Sequence, residues 1–308
     1  MNAFTSLSDA IAEAVAAAAP RVVALHMRHG RSLTATVWHD DLVVASEQAL
    51  PKRDRFPVRL ADGSESEARV VGRDEGTNVA LLRLATASGL ATPAAGVARL
   101  GGFVLTLGAQ RDGGTTASLG VFNQVGPAWQ SSHGGRIDQH LRLDLAVTQA
   151  EEGGPVLDAA GGVVGVSVFG PRGEVLVIPH ATIERVLPVL ADHGRVARGW
   201  LGATLQPVAV PGNGPGNVAG QVPGKDHERP ERGYLIASTA AGGPAEVGGI
   251  VPGDILVSVD GKPLGRTASL TSRLGPDSLG QGLDVEVLRG GERRTLSLVI
   301  TERPANDS

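Results

Sequence analysis

The sequence has no cysteine, a single tyrosine and only 3% aromatic residues in 308. Without cysteine, disulfides, thiolate metal sites and thiol redox chemistry are excluded, and the compartment is left open. The net charge of −4 at pH 7 provides no broad cationic field, so we expect no nucleic-acid partner. No apolar run is long enough for a transmembrane helix, so we also expect no membrane insertion.

Glycine, in contrast, is abundant, with 43 residues, which is about twice its usual share. Short runs of β-branched residues are separated by Gly-rich turns, and this pattern predicts a mainly β protein. Because domains average about 150 residues, the chain length predicts two of them.

The first 20 residues lack a basic segment and carry Asp9 and Glu13, so they do not resemble a signal peptide. Apolar residues at helical spacing predict a helix instead, with Ser6 as its N-terminal cap and Pro20 at its end. We therefore expect a cytoplasmic protein, or a periplasmic one if a leader has been removed.

Two series of short strands follow the helix. The first series extends from residue 21 to about Leu107, and the second extends from residue 117 to residue 178. Each series is long enough for one barrel. Apolar residues at helical spacing in 183–190 then predict a helix that ends at Gly194.

Three segments of this region occur in a recognisable order: VVASEQAL (43–50), GTNVALLRL (76–84) and AEEGGPVLDAAGGVVGV (150–166). They resemble the segments that carry the catalytic His, Asp and Ser of the HtrA/Deg serine proteases. The resemblance implies a trypsin-like fold of two six-stranded β-barrels. It places Gln48 at the His position, Asn78 at the Asp position and Glu152 at the Ser position.

These three replacements remove the groups that acyl transfer uses in that family. The amide nitrogen of Gln48 is not basic, and position 152 has no hydroxyl nucleophile. Ala150 also replaces the Gly that precedes the nucleophile by two residues, which affects the oxyanion hole. The sequence therefore predicts a degenerate family member that is not an enzyme and has no cofactor.

Two alternatives stay open. One is a hydrolase with another site, although Ser131, Ser132 and His133 look like an ordinary loop. The other is a sensor of metals or small ligands, in which Glu47, Glu151 and Glu152 would bind a cation. The three histidines of the first strands do not suit one metal: we expect His26 and His29 on opposite faces of a strand, and His39 exposed in a turn.

RGWLGATL (198–205) resembles the start of the PDZ domains of the same family. Three further segments resemble the remainder of those domains: GYLIAS (233–238), GGPAEVGGIVPGDILVSVDGKPL (242–264) and LDVEVLRGGERRTLSLVI (283–300). The resemblance implies a trypsin-like domain over 1–197 and a PDZ domain over 198–304, with a Gly/Pro-rich insertion at about 211–232. It also implies a peptide groove with a carboxylate-binding loop and two apolar residues on a helix. The residues concerned are Trp200, Leu201, Gly202, Ala203, Leu270 and Leu274.

We therefore expect an adaptor or regulatory scaffold that binds the C-terminal peptide of a partner protein, because a peptide can add to the groove as an extra strand. Tight hairpins are predicted at Asp260-Gly261 and Gly290-Gly291. A homo-oligomer is left open.

Overall fold

The computed structural model describes residues 2–210, 232–264, 270 and 273–302. It divides into two compact units, Met1–Val196 and Ala197–Ser308. The Gly/Pro-rich insertion lies almost entirely outside the described residues, and the domain limits given above stay a prediction. No helix in the described ranges is long and apolar enough to cross a membrane.

The N-terminal helix α1 spans Ala3–Ala18. Its N-cap is Asn2, whose side chain accepts a hydrogen bond from the Thr5 N–H at 2.8 Å. The prediction of Ser6 as the cap is therefore wrong: Ser6 lies inside the helix, because the short acceptor side chain of Asn2 already satisfies the first turn. The helix ends before Pro20, as predicted.

The first barrel is closed, with the strand order β1-β2-β3-β6-β5-β4. Alternate residues of β1 face two different cores: Val23 and Leu25 fill the barrel interior, whereas Val22 and Ala24 face the core shared with the second barrel. Burial on both faces explains the continuous apolar runs in its strands. The strands are β1 (Val22–His26), β2 (Ser32–His39), β3 (Leu42–Ser46), β4 (Arg55–Arg59), β5 (Glu65–Asp74) and β6 (Val79–Leu84).

The second barrel is also closed, with the order β11-β14-β13-β12-β7-β8. Its first strand includes Leu107, so the assignment of this segment to the first barrel is wrong. The strand that contains Leu107 pairs with β8 and β12 instead. The apolar character of a segment does not by itself show which of two barrels the segment joins. The strands are β7 (Phe103–Ala109), β8 (Thr115–Gly126), β11 (His140–Asp144), β12 (Pro155–Asp158), β13 (Val163–Phe169) and β14 (Val175–Pro179), and a small hairpin adds β9 (Trp129–Gln130) and β10 (Arg136–Ile137).

Helix α2 (His180–His193) closes the first unit. Its buried face packs into the core shared by the two barrels and includes Ile183, Val186, Leu187 and Leu190. Gly194 ends the helix in the left-handed conformation, with φ of 73°, which confirms the predicted end.

The second unit contains a sheet in the order β16-β17-β18-β20-β21, with β19 on β18, and a separate β15-β22 pair. The predicted hairpins are confirmed, with positive φ at Asp260, Gly261, Gly290 and Gly291. The elements are β15 (Gly199–Trp200), β16 (Ala203–Ala209), β17 (Arg232–Thr239), α3 (Pro244–Val247), β18 (Ile255–Val259), β19 (Lys262–Pro263), β20 (Gly282–Arg289), β21 (Glu292–Val299) and β22 (Thr301–Glu302).

Candidate functional site

The first-barrel wall of the site is set by the pairing of β3 with β6. Ser46, the last residue of β3, lies opposite Val79, the first residue of β6. This register brings the turn after β3, which carries Gln48, next to Asn78, which has a left-handed backbone with φ of 57°. The Gln48 N–H donates to Asn78 Oδ1 at 2.8 Å, so two of the three sequence-selected residues are in direct contact.

Glu152 reaches the same place from the turn before β12. Gln48 Nε2 donates to Glu152 Oε1 at 2.6 Å and to the Phe169 carbonyl oxygen at 2.8 Å. Ser46 Oγ donates to the same Glu152 oxygen at 2.7 Å, and the Phe169 N–H donates to it at 3.3 Å. The three selected side chains therefore form one cluster, although their family roles stay a prediction.

The chemistry of this cluster is hydrogen bonding to a buried carboxylate. Glu152 is only 6% exposed, and the donors to it are a hydroxyl, a side-chain amide and a backbone amide. The Gln48 amide donates its N–H and has no basic nitrogen, and Asn78 acts as an acceptor. None of these three side chains carries a hydroxyl or an imidazole, and Glu152 is the one among them with a basic atom.

The turn that carries Glu152 is held by contacts with both barrels. Thr34 on β2 donates to the Ala150 carbonyl oxygen through its N–H at 2.8 Å and through Oγ1 at 2.6 Å. Gly154 is required by close packing, because a Cβ there would lie 1.8 Å from the Leu107 carbonyl oxygen. The Glu151 N–H donates to the Thr148 carbonyl oxygen at 3.0 Å, so this amide is engaged within the turn.

A cleft of about 680 Å³ opens beside the cluster. Gln48 and Asn78 line it together with apolar walls that include Trp129, Phe169 and Leu176. Sequence reasoning set aside Ser131, Ser132 and His133, yet all three line this cleft, and Ser132 Oγ lies 3.4 Å from His133 Nδ1. These three residues lie in the turn of the β9–β10 hairpin, and the position of that hairpin beside the cleft is not predictable from the local sequence.

The histidine expectations are partly wrong. His26 ends β1, but His29 lies beyond the strand with φ of 59°, so the two do not share a strand. The left-handed backbone at His29 turns the chain toward β2. His26 Nε2 lies 3.0 Å from the Arg111 carbonyl oxygen, and His39 is exposed at the end of β2, as predicted.

The three glutamates considered for a cation engage different partners. Glu47 pairs with Arg73 at 3.5 Å, whereas Glu151 accepts from Thr116 Oγ1 at 2.6 Å. Glu152 belongs to the Gln48 cluster. Over the described residues, no group of three or more His, Cys, Asp or Glu side chains could hold a metal ion.

In the second unit, the expected carboxylate-binding loop joins β15 to β16. Gly202 has φ of 74°, and a Cβ there would lie 3.2 Å from Gly243 Cα, so glycine is required by both conformation and space. The carbonyl oxygens of Leu201 and Gly202 accept from the N–H groups of Ala245 and Ala240, each at 2.8 Å. These bonds fix the loop, with Trp200 and Ala203 at its two ends.

Two N–H groups of this loop, those of Leu201 and Gly202, make no recorded hydrogen bond within the described part of the chain. Both residues are buried. Strand β16 pairs only with β17 among the described strands.

Leu270 is helical and 3% exposed, but Leu274 lies partly buried in a bend. The prediction that both residues lie on one helix is therefore wrong for Leu274, because the Gly275-Pro276 pair that follows disfavours helical structure there. Leu270 and Leu274 both pack on the core that contains Leu201, and their role in peptide binding stays a prediction.

Comparison with known families and proteins agrees with this architecture. Residues 33–166 match the family of trypsin-like peptidase domains, and residues 213–300 match a PDZ domain family. A probable periplasmic serine endoprotease, DegP-like, from Pseudomonas fulva is 30% identical over 277 residues, which is 87% of this chain and 55% of that protein. A protein of the same description from Rhizobium meliloti is 27% identical and covers 88% of this chain and 53% of its own length.

Solved structures give the same result for the fold. The HtrA-type protease AlgW with a decapeptide has a TM-score of 0.71 at 24% identity, covering 95% of this chain and 98% of its own. The serine endoprotease from Yersinia pestis has a TM-score of 0.70 at 23% identity, with coverage of 95% and 98%. The chain spans about half the length of its curated relatives.

The comparisons contradict two predictions. The chain was expected not to be an enzyme, but its relatives are named serine endoproteases and its structural neighbours are proteases. It was expected in the cytoplasm, but the relatives are named periplasmic. The comparisons thus confirm the resemblance to the HtrA/Deg proteases: the chain has a trypsin-like peptidase domain and a PDZ domain, its relatives are named DegP-like serine endoproteases, and its structural neighbours include HtrA-type proteases.

Proposed function

We propose that this chain is a periplasmic HtrA-like protein that binds the C-terminal segment of a partner polypeptide through its PDZ domain, as an adaptor or regulatory scaffold. The observation that carries the proposal is the pair of N–H groups of the buried residues Leu201 and Gly202, which donate to no acceptor in the described part of the chain. Backbone N–H groups of folded segments are nearly always paired, so two successive N–H groups without an acceptor favour one that a ligand supplies.

A peptide carboxylate suits this loop. Backbone N–H groups bind carboxylates through charge-assisted hydrogen bonds, which are stronger than neutral ones. The peptide would then continue along β16, whose second edge has no strand partner among the described strands. Leu270 and Leu274 would contact its last side chain. The solved HtrA-type protease AlgW was determined with a decapeptide and with a tripeptide, which supports peptide binding in this fold.

Amidation of the peptide's C-terminus tests the proposal. A fluorescent peptide with a free carboxylate, selected from a library of C-terminal sequences, is compared with its amidated form by fluorescence anisotropy. Loss of charge-assisted bonds, worth about 1.5 to 3 kcal/mol, should weaken binding about tenfold or more. Equal affinity of the two forms would exclude carboxylate recognition.

Two variants separate the groove from the rest of the domain. Leu270→Ala should weaken binding of the free-carboxylate peptide, because it enlarges the pocket expected for the last side chain. Val299→Ala is the matched control, since Val299 is 62% exposed on β21, at the opposite edge of the sheet. Thermal unfolding of both variants distinguishes a lost contact from a loss of folding. A folded Leu270→Ala protein with unchanged affinity would place the groove elsewhere.

Endopeptidase activity is the second candidate function, and the names of the relatives favour it. Gln48, Asn78 and Glu152 carry no hydroxyl, and the Ser46 hydroxyl bonded to Glu152 is fully buried. Hydrolysis would therefore use another serine, and Ser132 beside His133 lines the cleft. Fluorophosphonate labelling with peptide mapping, together with a casein assay, tests this candidate. Labelling of Ser132 that disappears in Ser132→Ala supports it, and absence of both labelling and hydrolysis rejects it.

A further inference from the structure

We propose that Pro207 limits the peptide that the PDZ groove recognises to about its last four residues. The inference rests on the proposed function, because it concerns how far a bound peptide pairs with β16. It assigns the limit to one residue of the strand edge, where a proline offers a carbonyl oxygen but no N–H.

The register between β16 and β17 shows which way the backbone of β16 faces. Ile236 on β17 lies opposite Leu205 on β16. The Ile236 N–H donates to the Asp254 carbonyl oxygen at 2.8 Å, and its carbonyl oxygen accepts from the Gly253 N–H at 2.9 Å. Ile236 therefore directs both backbone groups away from β16. Since facing residues of an antiparallel pair exchange both hydrogen bonds or neither, the N–H and the carbonyl oxygen of Leu205 point away from β17.

Pro207 has the same orientation as Leu205, because residues two apart on a strand direct their backbone groups to the same edge. Pro207 lies opposite Tyr234 in the register and is exposed, and β16 is the first strand in the order of its sheet. Its missing N–H therefore removes no bond from the β16–β17 ladder. This position explains why the strand tolerates a proline, which within sheets occurs on edges with its nitrogen facing outward.

The outward row of backbone groups thus consists of Ala203, Leu205 and Pro207. A peptide whose carboxylate lies at the N–H groups of Leu201 and Gly202 runs antiparallel to β16, and its alternate residues pair with this row. Leu205 can exchange two hydrogen bonds with the peptide. Pro207, the next residue of the row, can only accept one, because its ring occupies the place of the donor. The two-way ladder therefore ends at Leu205.

Peptide length tests this limit on the full chain. An octapeptide from the library of C-terminal sequences is compared with its own last four residues by fluorescence anisotropy, both with a free carboxylate. Their affinities should agree within about threefold, because the additional residues gain at most one hydrogen bond from Pro207. A larger gain for the octapeptide would overturn the role of Pro207 and leave the proposed function intact. Absence of binding by both peptides would reject the proposed function and this inference with it.

A variant pair assigns the limit to the missing N–H. Pro207→Val restores the donor with a residue that favours strands, and it should tighten octapeptide binding about threefold to tenfold while leaving the tetrapeptide unchanged. Gln206→Val is the matched control: Gln206 is the exposed neighbour on β16, and its backbone faces β17, so neither peptide should gain affinity.

A Pro207→Val protein that binds the tetrapeptide without any gain for the octapeptide would overturn the inference. Should this variant associate with itself through the new donor on its edge, the comparison of the two peptide lengths on the unaltered protein still decides.

Discussion

Replacing Asp254 with asparagine should strongly destabilise the PDZ domain. Asp254 is 1% exposed and forms a bidentate pair with Arg289, in which Nε donates to Oδ1 and Nη2 to Oδ2, both at 2.7 Å. The Val251 N–H also donates to Oδ2 at 3.0 Å, and Arg289 Nη2 donates to the Gly249 carbonyl oxygen at 2.7 Å. One carboxylate thus joins β20 to the turn before β18.

The expected cost follows from the burial of the pair. Removing one partner of a buried ion pair costs about 3 to 5 kcal/mol, because the other charge stays behind without compensation. Because the Arg289 side chain is 29% exposed, we expect Asp254→Asn to lower the free energy of unfolding by an amount at the lower end of this range, about 3 kcal/mol. Glu292→Gln is the control: its carboxylate pairs with Arg294 but is 75% exposed, and exposed pairs contribute about 0 to 1 kcal/mol.

Hydrogen exchange followed by mass spectrometry measures the effect within the PDZ domain alone. A loss of about 3 kcal/mol should accelerate exchange in β18 and β20 about a hundredfold, and β1 in the first unit should stay unchanged. An Asp254→Asn protein that exchanges like Glu292→Gln would refute this account of the pair.

The pH dependence provides an independent check on the same pair. Burial by itself raises the pKa of Asp254, but the Arg289 hydrogen bonds, the Val251 N–H and the nearby positive charges together hold it below its ordinary value. A lowered folded-state pKa contributes stability that is complete above the unfolded pKa of about 3.9 and is lost as pH falls through the folded value. The difference between the wild type and Asp254→Asn should therefore shrink below about pH 4. A difference that stays constant down to pH 2 would contradict this reasoning.

Two further predictions concern the turn beside Glu152. Gly154→Ala should lower the free energy of unfolding, measured by calorimetry, by about 3 kcal/mol or more, because its Cβ would lie 1.8 Å from the Leu107 carbonyl oxygen. Gly282→Ala is the control, since no atom lies within 4 Å of a Cβ at Gly282. Equal unfolding temperatures of the two variants would contradict the packing argument. Thr34→Val should cost about 1 to 3 kcal/mol in the same assay, because the buried Ala109 N–H loses its acceptor, Thr34 Oγ1, and the Ala150 carbonyl oxygen loses one of its two Thr34 donors. An unfolding temperature equal to that of the wild type would contradict this account.

The parts of the fold that depend on local patterns were predictable from the sequence. Gly194 and the Asp260-Gly261 pair adopt positive φ where glycine-containing turns were expected. The contact between Gln48 and Asn78, 30 residues apart, followed from the family resemblance, and the β3–β6 register gives its physical reason. Because β3 pairs with β6 in a fixed register, residues that follow β3 and precede β6 in the sequence lie next to each other in the barrel.

The parts that depend on long-range contacts were not predictable. The membership of β7 in the second barrel is decided by its pairing with β8 and β12, although its apolar pattern resembles that of the preceding strands. The Arg289–Asp254 pair joins residues 35 apart, and nothing near Arg289 in the sequence marks it. The same holds for Ser132, which reaches the cleft through a hairpin.

The charge on Glu152 shows why residue identity alone was insufficient to describe the site. From the sequence, Glu152 was one of three replacements and had no known partners. In the fold, its Oε1 accepts hydrogen bonds from Ser46 Oγ, Gln48 Nε2 and the Phe169 N–H, so neutral donors from both barrels hold the carboxylate in place. The PDZ loop has the opposite character, because it offers N–H donors. Salt should weaken the binding of a peptide carboxylate to these donors, and amidation of the peptide tests the same contact directly because it removes only the terminal charge.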